Sequence, residues 1–182
     1  MRLFVAIALA REAQQALESF VRDVRAAYPR LRWSLPAQWH VTLQFLGETD
    51  DSHYLCTVQQ LRKIHASPVE IHLAHPGFFE RAGVFHVAVQ PALSLISLHD
   101  QIAQALIPCG FEPEERAYSP HITLARKKGR GRSPDFDQLQ KAVSKYAEVK
   151  LPSFLAGEFL LYQSFTEPAV PRYEVRDRFP LM

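Results

Sequence analysis

Slid against itself by 81 residues, the chain meets its own pattern across four successive elements without a gap, and no other feature restricts its fold as much. "HVTL" at 40–43 falls on "HITL" at 121–124. With only five threonines and eight histidines in the chain, two His-x-Thr pairs flanked by apolar residues at all four gaps arise by chance about once in a thousand such sequences. The flanks agree as well. "LFVAIAL" at 3–9 lies over "VFHVAVQ" at 84–90, two short β-rich runs with Phe4 on Phe85. Leu17, Val21 and Val24 meet Leu98, Ile102 and Ala105, spaced as one face of a helix. Residues 52–66 face 133–147 as a second pair of helices. Strand-like "VEIHLAHPGFF" and "SFLAGEFLLYQSF" come after them, and "RYEVRDRFPL" supplies a closing strand.

A period this long does not belong to a solenoid. It implies an internal duplication: one α+β domain of two pseudo-twofold-related lobes, each an antiparallel sheet with outer helices, around a central cleft. Lobe one is expected at about 1–80 and lobe two at about 81–182. The opening "MRLFVAIALA" is the first strand of lobe one; it is too short for a secretory signal, and Arg11 and Glu12 come at once after it.

Strand periodicity then fixes what the motifs present. Residues i and i+2 share a face, so His40 and Thr42 point one way while Val41 and Leu43 point into the core. His121 and Thr123 repeat the arrangement against Ile122 and Leu124. Across a twofold, two imidazoles and two hydroxyls converge on one small space. Such a quartet suits a phosphate ester. One histidine takes a proton from the nucleophile, the other gives one to the leaving oxygen, and the threonines donate to the non-bridging oxygens. No metal or other cofactor is required.

The rest of the sequence narrows the field. A net charge of +2 gives no global attraction to nucleic acid, so any basic surface is local. No apolar run approaches a membrane span, which points to a cytoplasmic protein without membrane contact. Cys56 and Cys109, in no metal-type spacing, are expected as buried reduced thiols. Monomer is the expectation for a cleft formed within one chain. No G-x-x-x-x-G-K-[ST] loop occurs, and Ser119 before Pro120-His121 lacks a nucleophile elbow.

Arg126, two residues past the second motif, opens "RKKGRGR" at 126–132: a mobile loop for RNA backbone, or a solvated connection. Phe45 is the counterpart of Arg126 under the 81-residue shift. Core packing is its ordinary role and base stacking the alternative, but stacking requires a bulge or a strand end, because 40, 42 and 44 face together. His72 and His75 fall on opposite faces of a strand, which excludes a shared metal. His53, His65, His86 and His99 have no partner in sequence and default to structural or surface roles.

These motifs in these flanks resemble the 2H phosphoesterase superfamily, specifically the bacterial and archaeal RNA 2′,3′-cyclic phosphodiesterases, also called 2′-5′ RNA ligases. The resemblance rests on "RLFVAIAL", "HVTLQFLGE", "GVFHVAV", "GFEPEERAYSPHITLAR" and "YEVRDRFPL", and so spans nearly the whole chain. It implies His40 as proton donor to the leaving ribose oxygen and His121 as the acceptor that activates water. Thr42, Thr123 and Arg126 would hold the phosphate. The substrate would be RNA or a small nucleotide ending in a 2′,3′-cyclic phosphate, opened to a 2′-phosphomonoester. ATP-independent 2′-5′ ligation, the reverse direction, and a non-catalytic nucleotide- or RNA-binding module stay open beside it. One departure stands out: the family's usual Phe-Pro after the second strand of lobe one is Phe79-Glu80 here.

Overall fold

The computed structural model describes residues 1–129, 131–165 and 171–182. Nine strands and four helices are found among them: β1 Arg2–Ala8, α1 Arg11–Ala27, β2 Arg32–Trp33, β3 His40–Glu48, α2 Asp51–Leu61, β4 Val69–Phe79, β5 Val84–Val89, α3 Leu93–Leu106, β6 His121–Arg126, α4 Pro134–Ala142, β7 Ser153–Ala156, β8 Glu158–Phe165 and β9 Arg172–Pro180. The strands form two antiparallel sheets, ordered β3-β1-β8-β9 and β2-β6-β5-β4-β7. The expected α+β class, two antiparallel sheets with helices outside them, is the fold observed. Among the described residues no helix is long and apolar enough to cross a membrane.

Amphipathic spacing explains the helices. On α1, Ala13, Leu17, Phe20, Val21 and Val24 are buried, and on α3 Leu95, Leu98, Ile102, Ala103 and Leu106. These faces meet the inward residues of both sheets, among them Leu3, Val5, Ile7, Phe85, Val87, Val41 and Ile122, in one continuous core. The shift by 81 put Ala105 in the helical stripe, but Leu106 occupies the core there and Ala105 lies half-exposed.

A lobe boundary at residue 80 does not survive. β4, from the first half, pairs with β5 of the second, while β8, from the second half, pairs with β1 of the first. Each half therefore delivers its late strand to the other half's sheet. The reason is connectivity: β4 and β5 are joined by a tight turn through Arg81–Gly83, where Gly83 adopts φ 61° and its amide bonds back to the Glu80 carbonyl, and such a turn makes its two strands sheet neighbours. The sheets still repeat one order, β3-β1-β8 against β6-β5-β4.

The cysteines also depart from expectation. Cys56 on α2 and Cys109, in the short 3₁₀ turn after α3, are joined by a disulfide with Cα atoms 5.6 Å apart. α2 packs against α3 and that turn. The long separation in sequence is closed by helix packing, which spacing alone does not reveal.

Candidate active site

β3 and β6 carry the two motifs, and the backbone builds them alike. "HVTLQF" and "HITLAR" share one burial sequence: half-buried, buried, half-buried, buried, buried, exposed. The break in alternation has a single cause in each strand. On β3, Val5 of β1 pairs with Gln44 and Ala6 with Thr42, which leaves Leu43 as an extra residue. On β6, Phe85 of β5 pairs with Ala125 and His86 with Thr123, which leaves Leu124 extra. Each extra residue is a β-bulge, and a bulge re-aims the side chains beyond it. Phe45 and Arg126 thus return to the face that carries His and Thr. Phe45 is 60% exposed, and its ring centroid lies 6.2 Å from that of Phe4, whose own ring is 4.8 Å from His40.

Both histidines are held in the same way. The Nδ1–H of His40 donates to the Gln38 carbonyl at 2.7 Å, and that of His121 donates to the Ser119 carbonyl at 2.8 Å. A carbonyl only accepts, so each ring carries hydrogen on Nδ1 and leaves Nε2 to exchange a proton. The Gln38 side-chain amide donates to the Pro171 carbonyl, which fixes the turn before β3 against the approach to β9. Across the cleft, the Tyr118 hydroxyl donates to the Thr42 carbonyl at 2.8 Å, so the segment leading to the second motif grips the first.

Electrostatics adds a constraint. Burial pulls the His40 pKa down from 6.5 to about 4, the Gln38 carbonyl opposes this, and His121 adds to it. Burial also lowers His121, the Ser119 carbonyl opposes, and the Arg126 charge adds to the depression. Both shifts favour the neutral imidazole over the buried cation.

Several residues at the cleft were not foreseen. His86, on β5, has its ring centroid 5.4 Å from that of His121 and stacks on Phe79 at 4.2 Å; it is buried, not a surface residue. Its Nδ1 has no hydrogen-bond partner among the described residues. Gly77 stands opposite on β4, and a Cβ there would lie 3.1 Å from the His86 Nε2. Phe79 also meets His121 edge-on at 4.7 Å. The departure at Glu80 falls beside the cleft: its carboxylate accepts from the Gln140 side chain at 2.6 Å. On the other wall, Tyr173 of β9 packs edge-on to His40 at 5.4 Å, and Tyr162 of β8 stacks on Phe4 at 5.1 Å. His99, another of the unpartnered histidines, stacks on Tyr118 at 4.0 Å. The basic loop is described except for Arg130; within it Arg132 pairs with Asp137 at 3.5 Å.

A duplicated pair of His-x-Thr strands, β3 and β6, in contact with each other on two interlaced antiparallel sheets defines a class of protein, and comparison with known sequences agrees. The chain belongs to the 2′-5′ RNA ligase superfamily, whose family model matches residues 11–162. It is 30% identical over 184 residues to an RNA 2′,3′-cyclic phosphodiesterase of Geobacillus stearothermophilus, covering 98% of this chain. The match spans 57% of that relative's length. An RNA 2′,3′-cyclic phosphodiesterase of Thermus thermophilus is 28% identical over 200 residues, covering 100% of this chain and 90% of that protein. Among solved structures, LigT of E. coli complexed with 3′-AMP superposes with a TM-score of 0.76 at 26% identity, covering 100% of this chain and 98% of that one.

Proposed function

We propose that the protein hydrolyses 2′,3′-cyclic phosphates at RNA ends to 2′-phosphomonoesters, by two-histidine acid–base catalysis that needs no metal ion. The observation that carries this reading is the matched setting of His40 and His121, each with Nδ1 committed to the carbonyl two residues back and Nε2 left free. His121 takes a proton from water as it attacks phosphorus in line. His40 protonates the departing ribose oxygen on the opposite side. Thr42 and Thr123 donate to the non-bridging oxygens, and Arg126 adds a charge that the second bulge turns toward them. Phe45, exposed beside Phe4, offers its ring to a base.

The lowered pKa values set the order of events. The free site holds two neutral imidazoles. The incoming phosphate diester brings the negative charge that lets His40 acquire its proton, so substrate and proton enter together. The same groups run the reverse ligation by microscopic reversibility, and the abundance of water favours hydrolysis.

The test is turnover of a nucleoside 2′,3′-cyclic phosphate in EDTA, with the product identified as the 2′-phosphate. His40→Ala and His121→Ala should each slow turnover by about 10²–10⁴-fold. The double variant should lose less than the product of the two, because the pair acts as a unit. Loss of activity in EDTA that zinc or magnesium restores would refute the metal-independent reading.

A further inference from the structure

We propose that Arg32, opposite Arg126 on the neighbouring strand, forms a second anion contact, one strand beyond the reactive phosphate, which holds the phosphodiester on the 5′ side of the terminal nucleotide. The inference rests on the phosphodiesterase reading above and narrows its substrate to an RNA end bearing at least that one further phosphate.

β2 is two residues long, and its partner is β6, with Arg32 opposite Arg126 and Trp33 opposite Ala125. Directly opposed residues on antiparallel strands share a face, with Cβ atoms about 4.5–5.5 Å apart, and like charges in that position are destabilising. The fold nevertheless holds this rung in place. The Ser34 amide donates to the Leu124 carbonyl at 2.8 Å, the Trp33 indole donates to the Tyr28 carbonyl at 3.0 Å, and the Trp33 ring meets Phe85 edge-on at 6.0 Å. Arg32 is thus carried on a fixed backbone.

The neighbouring arginines have carboxylates: Arg30 has Asp135 at 3.9 Å, Arg132 has Asp137 at 3.5 Å and Arg172 has Glu174 at 2.6 Å. Among the described residues no carboxylate lies within 4.0 Å of Arg32 or Arg126. With Arg126 turned to the reactive phosphate, a further phosphodiester against the Arg32 fork supplies the missing charge there.

Position decides which phosphate this is. Arg126 lies on a rung with Val84 and Phe79, on the face of sheet two that also carries Thr123 and His121. Arg32 stands one strand spacing further out, about 4.8 Å. A nucleoside 2′,3′-cyclic phosphate has a single phosphate, which the motif residues occupy. In an RNA chain the same nucleoside carries its next phosphodiester on the 5′ oxygen, on the other side of the ribose, where Arg32 waits.

Three substrates test this: a nucleoside 2′,3′-cyclic phosphate, the same compound with a 5′-phosphate, and a dinucleotide ending in the same cyclic phosphate. The readout is the ratio of kcat/KM for each of the latter two to that for the first. In the unaltered protein the ratio should exceed one and should fall as salt rises. Charge-assisted hydrogen bonds of this kind correspond to about ten- to a hundredfold in affinity, so Arg32→Ala should lower the ratio by that order, mainly through KM. Arg32→Lys, which keeps charge but not the fork, should lie between. A ratio unchanged in Arg32→Ala would overturn the second anion site and leave the phosphodiesterase reading standing. Absence of turnover on all three substrates by the unaltered protein would overturn both.

Discussion

Replacing His86 by Leu should remove a specific part of the protein's sensitivity to acid. His86 is 7% exposed, and burial, followed by the charges of His121 and His75, takes its pKa from 6.5 down to about 4. A group with a lowered pKa in the folded state binds its proton first in the unfolded state. Its contribution to stability is therefore complete above pH 6.5 and declines as pH falls, until the folded state also protonates near 4. At pH 5 the unfolded state already gains from protonation while the folded state hardly does, and the difference is about 2 kcal/mol. The assay is urea denaturation at pH 8 and pH 5 for both proteins. Stability of the unaltered protein should drop between these values by about 2 kcal/mol more than that of His86→Leu. His40 contributes in the same direction but is present in both proteins, so the difference isolates His86. Any offset common to both pH values reflects packing against Phe79 and does not enter. An equal drop in the two proteins would refute the account of His86 as a neutral ring kept from protonation by its surroundings.

The same geometry carries other expectations. Tyr118→Phe should cost about 0.5–1.5 kcal/mol through the lost bond to the Thr42 carbonyl, measured by denaturation, and should slow turnover because the two motif strands lose that tie. A substrate whose leaving group needs no protonation should largely rescue His40→Ala and not His121→Ala; equal rescue of both would refute the assignment of donor and acceptor. Reduction of the Cys56–Cys109 disulfide, which closes a separation of 53 residues, should destabilise the protein by about 4 kcal/mol if chain entropy dominates, seen as a lower urea midpoint with dithiothreitol. An unchanged midpoint would show that helix packing alone holds α2 against the turn after α3.

What the sequence disclosed, and what it hid, divides along physical lines. The matched strand placement of His40, Thr42, His121 and Thr123 was legible because a period of two and a repeated motif leave the same imprint in sequence and in space. Phe45 was legible only conditionally, since a bulge at a leucine has no signature in residue type. Comparison of the ladders also corrects the alignment: β1 on β3 and β5 on β6 match with an offset of 80, so Phe4 corresponds to Val84 and Ala6 to His86. The uniform shift of 81 paired Phe4 with Phe85 instead, and so placed His86 over Val5, a core position. With the ladder offset His86 falls on the cleft face. Tyr162 and Tyr173 stayed hidden because β8 and β9 reach the first sheet across the midpoint of the chain. Strand order is decided by three-dimensional connection, and a linear repeat does not contain it.

The interlacing of the sheets bears on how the protein is made. β1 leaves the ribosome before the other eight strands and lies inside its sheet, between β3 and β8. Val5 pairs with Leu161, so 161 − 5 = 156 residues separate one edge of β1 from its partner. At about 5–20 residues per second, that edge waits roughly 8–30 s during synthesis. Throughout, "LFVAIA" is an uncharged, β-prone segment with an open row of backbone donors and acceptors, a template for pairing with other chains. Nascent chains should therefore be most prone to co-aggregate late in translation, when β1–β6 are complete and β8 is still inside the exit tunnel.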